Sequence, residues 1–415
     1  MGASGDGPSA VRSRRGVKAR SVPYRHLARW PRSATCPNSS LDSDPAHPHP
    51  PSSSQRRLMR APGDREKGGK ASVKSTGRPN RSSALVGAVS GSTMYQKDKS
   101  LLCRHSACPL PNNLTTCTEG GKINLAFVGK TEVTTLFRSP DGSVHQSQVA
   151  CKDIGGSPCT ELMQVKWVKL EDIKTLLVIA STRAFQIFEW DGSVFLHCHP
   201  LPQDLDATEE TFTRGIGTCG PSLLCIGTNA GTILAHLVSR DLNVTFCQRA
   251  TEHAPHAIAD IHSHGEIMAS ADDGGGICLW RGKTALNLLR KLSPVGSSPC
   301  VSIRVWHDLV LAGYGSGELR VFSACSFQLM AEATAHARWI TAIDVAPDSG
   351  LALSVAEDSY VRVWQLDREG EHTIDHVHGE SVADSMLMGC AFLTPDGSSF
   401  AAVAYDSAEV FMFKK

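Results

Sequence analysis

One segment, residues 335–366, constrains the fold more than any other part of the chain. Its sequence, AHARWITAIDVAPDSGLALSVAEDSYVRVWQL, contains three apolar runs, ITAIDVA, LALSVA and YVRVWQL. A ProAspSerGly turn separates the first two, and a tight turn at Glu357-Asp358-Ser359 separates the last two. Short runs of this composition, bounded by turn residues, predict β-strands. A small sheet of this kind cannot bury both faces alone, so similar sheets should follow at a period of about 40–45 residues.

The pattern recurs along the chain. Successive apolar hairpins end at Phe137, Phe188, His236, Trp280, Phe322, Trp364 and Phe413. The spacing between neighbouring ends is 42 to 51 residues. Seven hairpins at this period predict an all-β fold, a seven-bladed β-propeller over residues 94–415. The apolar runs are too short and interrupted for transmembrane helices.

The C-terminus lies on the third strand of the last predicted blade, which therefore lacks its outermost strand. A propeller can close by taking that strand from the start of the ring, which removes an exposed sheet edge. We expect Ser100–Ser106 to fill this place and Asn113–Thr118 to begin the first blade.

The 335–366 segment resembles the WD40 repeat family. The matching positions are His336, Ser354, Asp358 and Trp364, and Trp364 follows Asp358 by six residues, as the family pattern requires. The resemblance implies a structural tetrad, a buried hydrogen-bonded set inside one blade. A buried His and Asp must be paired, and Trp supplies an N–H donor beside a large apolar area. The alternative, a catalytic His–Asp pair, is disfavoured.

The other blades depart from this pattern and are predicted from periodicity. Trp280 follows Asp273 by seven residues, which predicts a bulge near Gly274–Gly276. The fifth blade has Ser316 and Phe322 where the family has Asp and Trp.

The first 93 residues differ in composition from the rest. They contain 17 Lys or Arg and 5 Asp or Glu, a net charge of about +12, whereas the remainder carries about −11. They also hold ten of the 22 prolines and show no apolar periodicity. We predict a disordered basic extension over 1–93 and consider Met94 a plausible alternative start. The Arg-rich stretch 11–30 could be a solvated tail, a presequence, a nuclear-localisation patch or a nucleic-acid-binding arm.

Catalytic and metal-binding signals are weak in this sequence. It has no phosphate-loop, nucleophile-elbow or HExxH motif. The 14 cysteines include no CxxC pair, and no secretory signal precedes them, so free thiols in a reducing compartment are expected. Histidine pairs at 197/199, 253/256, 262/264 and 376/378 could place two rings on one strand face, but we predict no metal and no cofactor.

The family resemblance implies a non-enzymatic scaffold, cytoplasmic or vesicle-associated, that binds proteins through its top or edge and can self-associate. The candidate contact residues are Arg338 and Trp339, although Trp339 could instead pack on the neighbouring blade. The main alternative is a nucleic-acid-associated factor that uses the basic extension, although nucleic acid is not an expected partner. A propeller enzyme with an acidic channel is a third hypothesis.

Overall fold

A computed structural model describes residues 95–139, 143–151, 161–171, 173–201, 211–368 and 374–415. The predicted extension, 1–93, lies outside the described residues. The described chain is all β, with seven antiparallel sheets and no helix among the residues in these ranges. The predicted seven-bladed propeller is confirmed.

Six blades each consist of four strands in chain order, from the central channel outward. Blade one contains β3 (Thr115–Glu119), β4 (Lys122–Val128), β5 (Val133–Arg138) and β6 (Val144–Val149). Blade two contains β7 (Leu162–Lys169), β8 (Thr175–Ser181), β9 (Ala184–Glu189) and β10 (Phe195–Pro200). Blade three contains β11 (Thr213–Cys219), β12 (Leu223–Thr228), β13 (Ile233–Val238) and β14 (Val244–Ala250). Blade four contains β15 (Ile258–His264), β16 (Ile267–Asp272), β17 (Ile277–Gly282) and β18 (Leu286–Leu292). Blade five contains β19 (Cys300–Trp306), β20 (Leu309–Tyr314), β21 (Glu318–Ser323) and β22 (Leu329–Thr334). Blade six contains β23 (Ile340–Val345), β24 (Leu351–Ala356), β25 (Tyr360–Leu366) and β26 (Ile374–Ser381).

The seventh blade combines both ends of the propeller. It contains β27 (Leu387–Phe392), β28 (Ser399–Ala404) and β29 (Glu409–Lys414), with β1 (Gln96–Lys97) and β2 (Leu101–Leu102) paired antiparallel to β29. Closure by an N-terminal strand is therefore confirmed. The predicted segment, Ser100–Ser106, begins too far along the chain. Pairing with β29 starts at residue 96, and only two residues of the predicted segment, Leu101 and Leu102, form a strand. The first blade does begin within Asn113–Thr118.

Side chains also fasten this seam. The Tyr95 ring packs against Phe400, with centroids 4.9 Å apart, and its hydroxyl donates a hydrogen bond to the carbonyl of Gly397. Asp98 forms an ion pair with Lys414 at 3.2 Å. The seam thus buries aromatic area in addition to pairing the backbone, which explains why the pairing extends upstream of residue 100.

Neighbouring blades pack closely because the inner strands carry small residues where another blade approaches. Gly217 on β11 is one example: a Cβ added there would lie 2.5 Å from Cγ2 of Ile261 on β15. Gly215, two residues earlier on the same strand, is similarly tight against Ile258. The third blade therefore presents backbone rather than side chains at these two positions near the channel.

Candidate functional site

The four side chains that the sequence assigns to the sixth blade form one hydrogen-bonded chain. The indole Nε1–H of Trp364 donates to Oγ of Ser354 at 3.0 Å. Ser354 Oγ lies 2.8 Å from Nε2 of His336, and Nδ1 of His336 lies 3.0 Å from Oδ1 of Asp358. A neutral imidazole with its proton on Nδ1 donates to Asp358, and its Nε2 accepts the serine hydroxyl.

The electrostatics agree with this arrangement. Burial lowers the pKa of His336, which keeps the ring neutral. Burial alone would raise the pKa of Asp358, but hydrogen bonds from His336 and from the backbone N–H groups of Ala337 and Tyr360 outweigh it and lower the pKa to about 2. Every group in this set has a structural partner, so the geometry fixes the loop between two blades and leaves no polar atom aimed at a substrate.

A second tetrad, which the sequence pattern did not predict, lies in the fourth blade. Nδ1 of His253 is 2.5 Å from Oδ2 of Asp272, and its Nε2 is 2.6 Å from Oγ of Ser270. The indole Nε1–H of Trp280 donates to the same Oγ at 2.8 Å. The sequence spacing pairs Trp280 with Asp273, and that pairing is wrong. Asp273 instead accepts hydrogen bonds on both oxygens from Nη2 of Arg214 in the third blade, at 2.9 and 3.1 Å.

The predicted bulge near Gly274–Gly276 is wrong, because β16 and β17 pair without a register shift. Ser and Trp are ten residues apart in both tetrads, so the loop has the same length. In the fourth blade the carboxylate belongs to Asp272, two residues after the tetrad serine, whereas in the sixth blade Asp358 follows its serine by four residues. The Asp272 carboxylate lies against Gly276, where an added Cβ would be 2.6 Å from Oδ2. The signal that would have found this set is the His–Ser spacing, 17 residues here and 18 in the sixth blade.

Between the second and third blades, aromatic packing takes the place of a tetrad. His236, fully buried on β13, has its Nε2 3.3 Å from Nδ1 of His199 on β10. The rings of His197 and His199 both lie near Phe185, with centroids 6.3 and 5.2 Å away, as expected for alternate residues of a strand. Burial lowers the pKa of His236 to about 4. No group of three or more candidate metal ligands occurs among the described residues.

The candidate contact residues lie on the loop that follows His336. Arg338 is exposed, whereas Trp339 is half-buried, and its indole covers Gly315 of the fifth blade: a Cβ there would lie 3.1 Å from the ring. Trp339 therefore packs on the neighbouring blade and still shows part of its surface. Beside it, Tyr360 is 40% exposed, with the Arg362 guanidinium 4.7 Å from its ring centroid.

The central channel is plugged at one end by residues just before the first blade. Asn112 donates its backbone N–H to the carbonyl of Thr341 and its side-chain amide to that of Val301, at 3.0 and 2.9 Å. Asn113 exchanges bonds with Val128 of the first blade, at 2.7 and 3.0 Å. Two asparagines thus tie the fifth and sixth blades to the first at the end where the innermost strands begin.

Beneath this plug lies a cluster of buried charges. Asp260 of the fourth blade accepts a 2.7 Å bond from Nη1 of Arg304 in the fifth, together with backbone N–H bonds from Ile261 and Ile303. Nε of Arg304 lies 3.2 Å from Asp344 of the sixth blade. One guanidinium therefore joins three blades.

The second blade contributes Lys166, whose ammonium donates to the carbonyl of Ile261 at 2.8 Å and lies 3.9 Å from Asp260. Gly217 of the third blade lies beside the same carbonyl: a Cβ added there would lie 3.2 Å from the carbonyl oxygen of Ile261. Burial lowers the pKa of this amine to about 8, against the attraction of Asp260. Two cations and two carboxylates balance in the described part of the channel, so the hypothesis of an acidic channel has no support here.

None of the twelve cysteines in the described ranges forms a disulfide. Most of them are buried or half-buried. Burial raises the pKa of the Cys108 thiol, for example, to about 12. No helix in the described part of the chain is long and apolar enough to cross a membrane.

The sheets, their closure and the two tetrads define a WD40-type β-propeller. A chain in the crystal structure of the mitotic checkpoint complex shares this fold, with a TM-score of 0.61 at 14% identity over 83% of this chain and 99% of that one. A family model described as WDR54 matches residues 94–415, and the chain belongs to this family.

Named relatives agree with that assignment. The chain is 33% identical to WD repeat-containing protein 54 of Mus musculus, 34% to WD repeat domain 54 of Rattus norvegicus and 32% to WD repeat-containing protein 54 of Homo sapiens. Each match covers 77% of this chain and 99% of the relative. The segments ADDGGGICLWRG, LAGYGSGELRVF and HVHGESVAD already resemble that protein in sequence, and the comparisons confirm the resemblance.

Proposed function

We propose that this chain is a non-enzymatic scaffold that binds protein segments on the face of the propeller formed by the sixth-blade loops. The observation that carries the proposal is a contrast between polar groups that already have hydrogen-bond or ion-pair partners inside the propeller and side chains that are exposed to solvent on its loops. Both tetrads are internally hydrogen-bonded and the channel carboxylates are paired, so neither resembles a reactive centre. The loops beside the sixth-blade tetrad instead show arginine and aromatic side chains to solvent.

We call this surface the blade-six rim and define it by Arg338, Trp339, Glu357, Tyr360 and Arg362. Trp, Tyr and Arg are the residues most enriched at binding hot spots. Trp339 and Tyr360 are held by packing, on Gly315 and under Arg362 respectively, so ordering them on binding costs little entropy. Arg362 already pairs with Asp358 at 3.5 Å, so Arg338 is the guanidinium that favours a partner segment carrying a carboxylate.

The test is affinity capture from cells with the full chain, followed by cross-linking mass spectrometry. We compare the native chain with a variant carrying Arg338→Ala, Trp339→Ala and Tyr360→Ala. Leu288→Ala is the control, because Leu288 is 42% exposed on the outermost strand of the fourth blade, far from the rim.

Partners that the native chain and the control recover, and that the rim variant loses, would support the proposal. Partners retained by the rim variant, or an empty capture, would contradict it. Recovery that disappears after nuclease treatment would favour the nucleic-acid alternative, which the charge of about −11 on residues 94–415 disfavours.

We also propose a cytoplasmic location with association to vesicles. The absence of a disulfide among the twelve described cysteines supports a reducing compartment. Fractionation of cells that express the tagged full chain tests the location: recovery only in the lumen of the secretory pathway or in the nucleus would contradict it. Self-association, which the family resemblance implies, stays a prediction for light scattering on the purified chain.

A further inference from the structure

The channel contains a chamber of about 180 Å³ between the asparagine plug and the buried charges. Lys166, His262, Arg304 and Asp344 line it, together with Thr115 and Thr116. One water needs only about 10–15 Å³ of volume measured in this way, so the chamber has room for several waters, or for one small polyatomic ion with waters around it.

The carboxylates around this chamber are already satisfied. Asp260 accepts bonds from Arg304 and from the backbone N–H groups of Ile261 and Ile303. Asp344 accepts one bond from Arg304 and another, at 2.8 Å, from the backbone N–H of Phe392. Asp260 therefore offers little further capacity to a ligand that donates hydrogen bonds, and each oxygen of Asp344 already accepts one hydrogen bond.

The donors, in contrast, exceed their partners. The backbone N–H of Val305 donates to Nδ1 of His262 at 3.1 Å, which places the ring proton on Nε2. Within the described residues, neither that Nε2–H nor the Nη2 group of Arg304 has a hydrogen-bond partner. Lys166 donates one hydrogen bond, to the Ile261 carbonyl, and has three N–H groups.

We propose that this chamber is a binding site for one small oxyanion, held by Lys166, the Nη2 group of Arg304 and Nε2–H of His262. Three donors from three blades converge on the space under the plug, while the nearby carboxylates face backbone N–H groups. A phosphate or a short carboxylate supplies the acceptors that this wall lacks, and both fit the volume. Hydrogen bonds between charged groups in such a partly buried place are stronger than those between neutral ones.

The electrostatic balance limits the ligand to a small one. The two cations are each close to a carboxylate, so a large polyanion would meet Asp260 and Asp344 as well as the donors. A single compact anion adds one charge to a cluster that is otherwise neutral. This distinguishes the site from a nucleic-acid or polyphosphate groove.

The experiment is isothermal titration calorimetry on the full chain, with sodium phosphate and sodium acetate in separate arms against sodium chloride at matched ionic strength. Lys166→Met removes the amine donors and keeps the aliphatic stem. Lys169→Met, on the exposed end of the same strand, is the matched control. Lys166→Gln serves as a second variant should the methionine variant fail to fold, which circular dichroism reports.

We expect saturable binding in at least one arm, unchanged in the Lys169 control and weakened at least tenfold by either Lys166 substitution. Saturation with phosphate alone, or with acetate alone, identifies which oxyanion the chamber prefers. Heat that rises linearly without saturation, as for general salt effects on the protein surface, would overturn the proposal. Equal affinity in the Lys166 variants would overturn it too.

Discussion

The two tetrads predict that Ser270 and Ser354 contribute equally to stability, although only the second belongs to a recognisable repeat in the sequence. Each hydroxyl is the centre of its set: it accepts the tryptophan Nε1–H and contacts the histidine Nε2, and both serines are fully buried. Replacing either with alanine orphans two buried polar atoms. At about 1–3 kcal/mol for each orphan, Ser270→Ala and Ser354→Ala should each lower the free energy of unfolding by about 2–6 kcal/mol.

Urea unfolding of the full chain, followed by circular dichroism, measures these losses, provided that the slope of the transition is unchanged. The fifth blade separates the two tetrads and they share no partner, so the double variant should lose the sum of the single losses to within about 0.5 kcal/mol. Ser316→Ala is the control, because Ser316 is exposed in the corresponding turn of the fifth blade. If Ser270→Ala behaved like this control, within about 0.5 kcal/mol of the native chain, the fourth-blade tetrad would not exist as described.

Three further predictions concern the seam, a strained turn and pH. Deleting residues 95–102 leaves β29 with an open edge, so size-exclusion chromatography with light scattering should show aggregation, whereas a monodisperse product would contradict closure by this segment. Gly317→Ala should lower the free energy of unfolding by more than about 2 kcal/mol, because φ is +89° and an added Cβ would collide with the carbonyl of His336. Gly120→Ala should lower it by only about 1–2 kcal/mol, because φ is +58° and the space around that residue is open. Equal losses for the two variants in urea unfolding would refute the steric argument. Burial holds the pKa of His236 near 4, below its unfolded value of about 6.5, so the unfolded chain binds more protons between these values and stability falls as the pH drops below 6.5. The loss from this group should reach about 2 kcal/mol at pH 5, and His236→Leu should flatten the dependence of the urea midpoint on pH; an unchanged slope would contradict the assignment.

Local patterns were enough to predict the strands and the blade count. Alternating apolar runs and turn residues reflect forces that act over a few residues, and the period reflects how much chain one blade needs. The tetrad of the sixth blade also follows a local spacing, which is why His336, Ser354, Asp358 and Trp364 were identifiable as a group. Closure of the last blade by a strand from the start of the propeller was also predicted, and the pairing of β1 and β2 with β29 confirms it.

Only the tertiary structure decided which side chains meet across blades. The carboxylate of the fourth-blade tetrad comes from Asp272 rather than Asp273, because Gly276 leaves the space into which it folds. Lys166, Asp260 and Arg304 are 44 to 138 residues apart in sequence and meet because the inner strands of their blades face the same channel. Sequence periodicity predicts the order of the blades. Contacts around the central channel depend on how the seven sheets pack together, and the pattern within a single repeat contains no information on distances between blades.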